Sequence, residues 1–372
     1  MVDVIVIGGG LAGLFAAWQL KESGFDVTVI EKKKYPFQRV CGEYVSNEVI
    51  PFLESRGLFP HELQPATIDQ FRLTSVGGAV LDMPLDLGGF GISRFAWDHW
   101  LVQKLQSKGV IVKEGESVQS IRQSGDSQVI KTSNGHETQA RLVIGAFGKR
   151  SILDKSLDRS FMRRRSPYVG VKYHVKYDFP DDTVALHNFP GGYCGINKVE
   201  GEKYNLCYLT QRDNLRTHGN IPAMEEAVLH RNPYLREIFN EATFLLEQPE
   251  VINEVTFEAK EPVYQGIFMV GDAAGMITPL CGNGMAMAIH SSKLLFDCIA
   301  KYGLDGHEVR TKLENEYSQL WRKKFAFRLS SGRTIQRMFG GKRASSFAVG
   351  LGRTAKPIAQ LLMAQTHGSP FS

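Results

Sequence analysis

The apolar positions change their spacing several times along the chain, and each change predicts an element. Val2 to Ile7 is a β-branched apolar run ending in glycine, the pattern of a buried strand. From Leu11 to Ser23 the apolar residues recur at helical spacing, and FDVTVIE then reads as a second strand. Residues from about 70 to 93 and from 166 to 256 hold short alternating runs separated by glycine and proline. Among them, YVGVKYHVKY, VALHNFP, YCGINKV and YNLCYLT predict antiparallel strands of a separate sheet. Further on, EPVYQGIFMVGDAAG predicts a strand from Ile267 to Val270, and a helix begins near Asn283. From about Ser291 the pattern is helical to near the end, and LENEYSQLWRKKFAFRLSSGRTIQRMF sets Leu, Trp and Phe opposite basic residues.

This order predicts an α/β chain with a Rossmann-like nucleotide domain and an inserted, mainly antiparallel β substrate domain. The first is discontinuous, built from 1–69, 94–165 and 257–300; the second takes 70–93 and 166–256; a basic helical region covers 301–372. His174, His187, Tyr193 and Tyr208 are polar residues of the second sheet, read as sheet-surface or satisfied core residues rather than catalysts.

Composition narrows the class. No apolar run reaches the roughly 18 residues that span a bilayer, and the start, MVDVIVIGGGLAGL, lacks a basic leader and reads as strand plus glycine turn. The five cysteines (41, 194, 207, 281 and 298) show no CxxC pair and no metal spacing, which fits a reducing cytoplasm and no metal site. Charge is uneven: from Tyr317 onward there are ten Lys and Arg and no Asp or Glu, while the first 316 residues carry 34 basic against 39 acidic side chains. A solvated helical face explains the basic tail; contact with an anionic membrane surface or an acidic carrier protein is the sharper alternative. Nothing pairs these basic residues with the aromatic spacing of a nucleic-acid module.

Two motifs carry chemistry. Gly8, Gly10 and Gly13 form GxGxxG at the first strand-to-helix turn, where glycine permits the turn, a close phosphate and tight helix packing. Glu31 closes the second strand, eighteen residues past Gly13, where a carboxylate accepts both ribose hydroxyls. Arg39, beyond a run of lysines, is a candidate for phosphate or ribityl contact. At the other end, Gly271-Asp272 is a corner that can offer one carboxylate to a polyol chain. The helix N-terminus at Gly282, Asn283, Gly284 and Met285 would point at an electron-accepting ring. NAD has no ribityl chain and needs no such second site, so the pair of motifs points to FAD.

The GxGxxG…Glu start, the GDAAG…P…GxG stretch and the intervening RVCGEYVS resemble flavoproteins of the geranylgeranyl reductase and aromatic hydroxylase group. The resemblance runs from residue 1 to about 300 and is specific at both FAD motifs. It implies the two-domain hydroxylase fold with a glutathione-reductase-type FAD domain. It also places Asp272 on the ribityl chain, the loop Pro279 to Gly284 under the isoalloxazine ring, and Arg94 against FAD ahead of a helix. By the same resemblance the backbone at Val118 meets the adenine, and Cys41, Gly42 and Glu43 lie near the flavin face, bordering the substrate.

The sequence departs from the group in two places. The stretch IGAFGKRSIL has Phe147 where the group carries an Asp important for FAD and often for NAD(P)H. The segment after Tyr193 lacks the Trp and Phe-Pro of prenyl-chain reductases, and there is no Trp-x-Trp-x-Ile-Pro of tryptophan-type halogenases. The expectation is an FAD-dependent oxidoreductase acting on a hydrophobic small molecule, favoured as a monooxygenase, with NAD(P)H as candidate electron donor. The alternative is a reductase that saturates a carbon–carbon double bond; further alternatives are a non-catalytic flavoprotein redox partner and a flavin-dependent halogenase.

Overall fold

The computed structural model describes residues 1–338, 341, 345, 346, 349, 350, 352 and 368–372. The chain opens with β1 (Val2–Ile7), α1 (Leu11–Glu22) and β2 (Val27–Glu31), and β1 and β2 pair in parallel. Every residue of β2 is buried and α1 is buried along ten of its twelve residues, so this unit lies inside the molecule. A short β3 (Tyr44–Ser46), α2 (Ile50–Ser55), β4 (Ala66–Thr74) and β5 (Val80–Gly91) follow, then α3 (Arg94–Ser107), capped by the Ser93 hydroxyl on Ala96 N–H. The chain returns to the first sheet with β6 (Ile111–Glu114) and the meander β7 (Val118–Ser124), β8 (Ser127–Thr132) and β9 (Glu137–Gly145).

After α4 (Ile152–Ser156) come β10 (Tyr168–Lys176), β11 (Thr183–Phe189), β12 (Gly192–Lys198) and β13 (Tyr204–Gln211), at the positions of the alternating runs. The helices α5 (Arg212–His218), α6 (Ile221–Val228) and α7 (Pro233–Glu241) then cover one face of these strands, with Met224, Val228, Leu229, Leu235 and Ile238 packed on Val169, Val171, Leu206 and Tyr208. The strands β14 (Thr243–Phe244) and β15 (Glu250–Asn253) both join β10, and β16 (Val263–Tyr264) and β17 (Ile267–Met269) lead back to the first sheet. The helices α8 (Gly284–Tyr302) and α9 (His307–Met338) follow.

The first sheet runs β16-β17-β9-β1-β2-β6, parallel except for the edge pair β16/β17, with β7 and β8 added through β9. The second runs β14-β10-β13-β12-β11-β4-β5-β3 and is antiparallel except where β11 lies parallel to β4. This is the expected α/β architecture of a Rossmann-like domain, an antiparallel sheet and a helical end. The second sheet takes more of the N-terminal region than residues 70–93: β4 starts at Ala66, and β3 pairs Tyr44, Val45 and Ser46 with Gly91, Phe90 and Gly89. Three residues are too few to show a two-residue period, so β3 left no pattern of its own.

The final helical stretch is not continuous from Ser291. The α8 helix begins at Gly284, beside the expected start near Asn283, and it ends at Gly303, whose positive φ (73°) lets the chain leave the helix before α9. The inner face of α9 is Leu313, Tyr317, Trp321, Phe325 and Leu329, a buried i, i+4 stripe that belongs to the core of the first domain. The basic sequence beyond Met338 lies largely outside the described residues, although Val349 packs with Leu73, Leu81 and Met83 of β4 and β5. Among the described residues no helix is long and apolar enough to cross a membrane, and no group of His, Cys, Asp and Glu is placed to hold a metal ion.

Candidate functional site

At the end of β1 the backbone turns through Gly8 (φ +105°), where a Cβ would lie 2.4 Å from Ala146 O. On Gly13 a Cβ would sit 2.1 Å from Gly8 O, so α1 can rest on the turn only with glycine there. Gly10 N-caps α1 with no side-chain cap, and the first atom that a Cβ on it would meet is Arg94 Nη2, at 3.5 Å. The N–H groups of this first turn have no side-chain cap, and the Arg94 guanidinium is close by, as an anion site requires.

Glu31, at the end of β2, accepts from Gly9 N–H (2.9 Å), Lys33 N–H (3.0 Å) and Arg39 Nη2 (3.2 Å). A carboxylate has about four acceptor positions, so one is left for a hydroxyl. Glu116 N–H donates to Glu31 O (3.1 Å), which brings the start of β7, with Val118 buried on it, beside the same end of β2.

Arg39 and Arg94 share one carboxylate. Asp98 accepts from Arg39 Nε at 2.9 Å and from Arg94 Nε and Nη2 at 2.7 Å each. Sequence reasoning passed over Asp98, although its i, i+4 spacing from Arg94 on a helix was a usable signal.

The second motif folds as a corner against α1. Gly271 (φ +59°) lies so close that a Cβ would stand 2.9 Å from Ala12 Cβ, and its N–H donates to Ser291 Oγ on α8 (2.8 Å). Arg159, fully buried, braces the corner through Ala273 O (2.9 Å), Asp154 (3.0 Å) and Glu261 O (3.0 Å). Lys260 Nζ donates to Asp272 O (2.7 Å) and Lys149 O (2.6 Å), and Lys149 Nζ to Asn253 O (3.0 Å). Burial lowers both lysines to about 8, against the pull of Asp272 and, for Lys260, of Asp154. Burial also raises Asp272, opposed by Lys260, Lys149 and Arg94. Apart from Lys260 with Asp272, these contacts join residues more than a hundred apart in the chain and left no sequence signal. Phe147 sits inward, its ring 2.8 Å from where a Cβ on Gly145 would be, so it fills core space rather than carrying a charge into the cleft.

From the corner the chain runs through the turn Pro279–Cys281 and Gly282 (φ +63°) to Asn283, the N-cap of α8, and on into Gly284 and the buried Met285. A Cβ on Gly282 would be 3.2 Å from the ring of Tyr44, so the loop rests on the strand that follows CGE. The hydroxyl of Tyr44 is buried with no partner among the described residues. Within the loop, Leu280 joins Tyr193, Leu209 and Val255 in an apolar cluster.

Of the three residues expected to border the substrate, Cys41 is half-buried, and Gly42 is exposed with open space where a Cβ would be. Burial raises the Cys41 thiol against the opposing effect of Arg94, so it stays protonated. Glu43 is wholly buried, and a left-handed backbone (φ 52°) carries its side chain to the second sheet. There it pairs with Lys172 Nζ and with His174 Nε2 (2.7 Å). Burial raises its pKa, but Lys172 and His174 outweigh that and hold it at about 2. Two more polar residues of the sheet are accounted for by packing: His187 stacks on Tyr234, and Tyr208 donates to Glu225 (2.8 Å) on the helical side.

These residues fit FAD. The glycine turn and uncapped helix suit a pyrophosphate, and Glu31 keeps an acceptor position for a ribose. The Asp272 carboxylate accepts no hydrogen bond among the described residues and stands between cations on both sides of the cleft, where a polyol can donate to it. Comparison with known proteins agrees. The model of the FAD binding domain family matches residues 1–320, and the chain belongs to that family. It is an FAD-dependent oxidoreductase. The digeranylgeranylglycerophospholipid reductase 2 of Methanopyrus kandleri is 27% identical over 346 residues, 87% of this chain and 83% of its own. A flavoprotein/dehydrogenase from Cytophaga hutchinsonii superposes with a TM-score of 0.78 at 18% identity over 98% of this chain and 93% of its own. A probable FAD-dependent monooxygenase from Pseudomonas aeruginosa gives 0.72 at 15% identity over 93% and 98%.

Proposed function

We propose that this FAD-dependent oxidoreductase is a monooxygenase that inserts one atom of O2 into an apolar small molecule, with NADH or NADPH as electron donor. The observation that carries the reading is the apolar cluster in which Leu280 of the Pro279–Gly284 loop packs with Tyr193, Leu209 and Val255. Of the ionisable groups nearby, Glu43 is committed to Lys172 and His174, and Arg94 to Asp98. When bound, FAD supplies the redox chemistry; the chain's part is to bind it, exclude water and hold the substrate over the loop. The N-terminus of α8, without a side-chain cap, would favour negative charge on a flavin ring held there, and Asp272 would accept from the ribityl chain.

A second reading is favoured by Cys41. A thiol kept protonated at the cleft would hand a proton to one carbon of a double bond as hydride reaches the other. The likeness to a protein named as a digeranylgeranylglycerophospholipid reductase supports it. Anaerobic mixing of the yellow protein with NADH or NADPH, followed by oxygen, tests both readings. Bleaching by a nucleotide and label from 18O2 in the product are expected. Substrate turnover without oxygen would move the assignment to the reductase, and no bleaching by either nucleotide would remove NAD(P)H as the donor.

A further inference from the structure

Glu43 is the one fully buried carboxylate that touches both the second sheet and the element carrying Arg94, among the described residues. Its two oxygens divide the work. Oε2 takes His174, while Oε1 takes Lys172 and, at 2.8 Å, the backbone N–H of Arg94, the first residue of α3. Lys172 and His174 are two apart on β10, so both side chains leave the sheet on the same face. The main chain at this point is tied to the same two bodies. Glu43 O accepts from Ile92 N–H (3.1 Å), and Asn205 of β13 donates to Gly42 O (2.9 Å). A Cβ on Gly91 would lie 1.8 Å from Lys198 O, so the approach to α3 is pressed against β12.

On the other side of that hydrogen bond stands the cofactor cleft. The Arg94 guanidinium lies across from Gly10 and is held by Asp98, which also holds Arg39, which reaches Glu31 and Gly9 O (3.1 Å). A buried ion pair is weak evidence for stability, because desolvation offsets its attraction. Apolar residues would have filled the seam as well. A carboxylate that accepts from a helix N-terminus while tied to a lysine and a histidine on another sheet fixes geometry instead.

We propose that Glu43 is a positioning residue: it locks the N-terminus of α3 to the second sheet, so that Arg94 stands at the height of the phosphate turn where FAD needs it. The role follows from the cofactor alone and is the same for oxygen transfer and for reduction. Glu43 does not touch FAD; it acts through Arg94.

The test removes the buried charges together and varies only the acceptor. In a Lys172→Met background, Glu43→Gln keeps an oxygen for Arg94 N–H, whereas Glu43→Gly removes it and leaves the left-handed backbone unstrained. FAD affinity of each apoprotein is read from quenching of flavin fluorescence, and the bound flavin from its visible circular dichroism. Glu43→Gln is expected to bind FAD within about threefold of the Lys172→Met parent, and Glu43→Gly at least tenfold more weakly with an altered flavin spectrum. Equal affinity and spectra in the two would overturn the proposal. Should the glycine variant not fold, a double-mutant cycle decides: Glu43→Asn, which tolerates the left-handed backbone but is too short to reach Arg94 N–H, and Asp98→Asn in the otherwise unchanged protein act on Arg94 from opposite ends. Non-additive losses in FAD affinity are expected, and additive ones overturn the role.

Discussion

The carboxylate of Asp272 lies between Lys260, Lys149 and Arg94, yet accepts no hydrogen bond from any of them. Such a group is poised for a donor that the protein does not itself provide. Asp272→Ala is therefore expected to weaken FAD by roughly tenfold or more, about 1.4 kcal/mol at the least, and the purified protein should lose most of its yellow colour. Retention of flavin at one equivalent would show that the corner does not face the ribityl chain. Gly13 makes a second case at this scale. Alanine improves helix propensity by about 1 kcal/mol, but its Cβ would fall 2.1 Å from a backbone oxygen that cannot rotate away. Steric cost wins, and Gly13→Ala should lose about 2 kcal/mol in urea unfolding, together with FAD affinity.

Strands and helices set the protonation of groups far from the cleft. His187, on β11 between Thr74 and Tyr234 of α7, is pushed down to about 3 by burial and then by Arg72. A histidine depressed in the folded state binds fewer protons than in the unfolded chain, so it costs stability progressively as pH falls from about 6.5 toward 3. Glu225 has the opposite sign. Burial raises it to about 7, against the Tyr208 and Tyr173 hydroxyls that donate to it, so stability falls as pH rises from the unfolded value near 4.5 through 7. Urea midpoints measured against pH separate the two. His187→Gln should flatten the acid limb below 6.5, and Glu225→Gln should raise the midpoint above pH 7 while changing nothing below 4. The sequence shows why such elements are harder to read than motifs. Gly8, Gly13, Glu31 and the Gly271-Asp272 corner announce themselves because their chemistry is local to a turn. Asp98, Lys149, Lys260 and the inward turn of Glu43 depend on which strands meet, and period and spacing say nothing of that. The left-handed backbone at Glu43, which decides its direction, has no side-chain signature at all.

Over the whole molecule the end of the chain returns to the domain where it began. Phe371 stacks on His290 of α8, with ring centroids 3.9 Å apart, and meets Phe52 of α2 at 5.7 Å, while Gly368 N–H donates to the buried Glu48. This closes the outer side of α8, the helix whose N-terminus ends at the Pro279–Gly284 loop, just as α9 backs the Gly271-Asp272 corner with Trp321, whose ring would be 2.8 Å from a Cβ on Gly275. The basic stretch of α9 thus has a structural face, with Arg322 and Lys323 outward and exposed on the other side. Removing residues 368–372 would uncover His290 and give up the burial of one phenylalanine, about 2 kcal/mol. Two readouts then move together. The thermal midpoint should fall by roughly 2–3 °C, given about 2.1 cal/mol/K of unfolding entropy per residue. The His290 ring, held at about 3 by burial and then by Lys324, Arg328 and Lys293, should titrate higher once water reaches it. A lower midpoint with an unchanged His290 titration, followed by NMR, would mean that Phe371 adds apolar burial without shielding the imidazole.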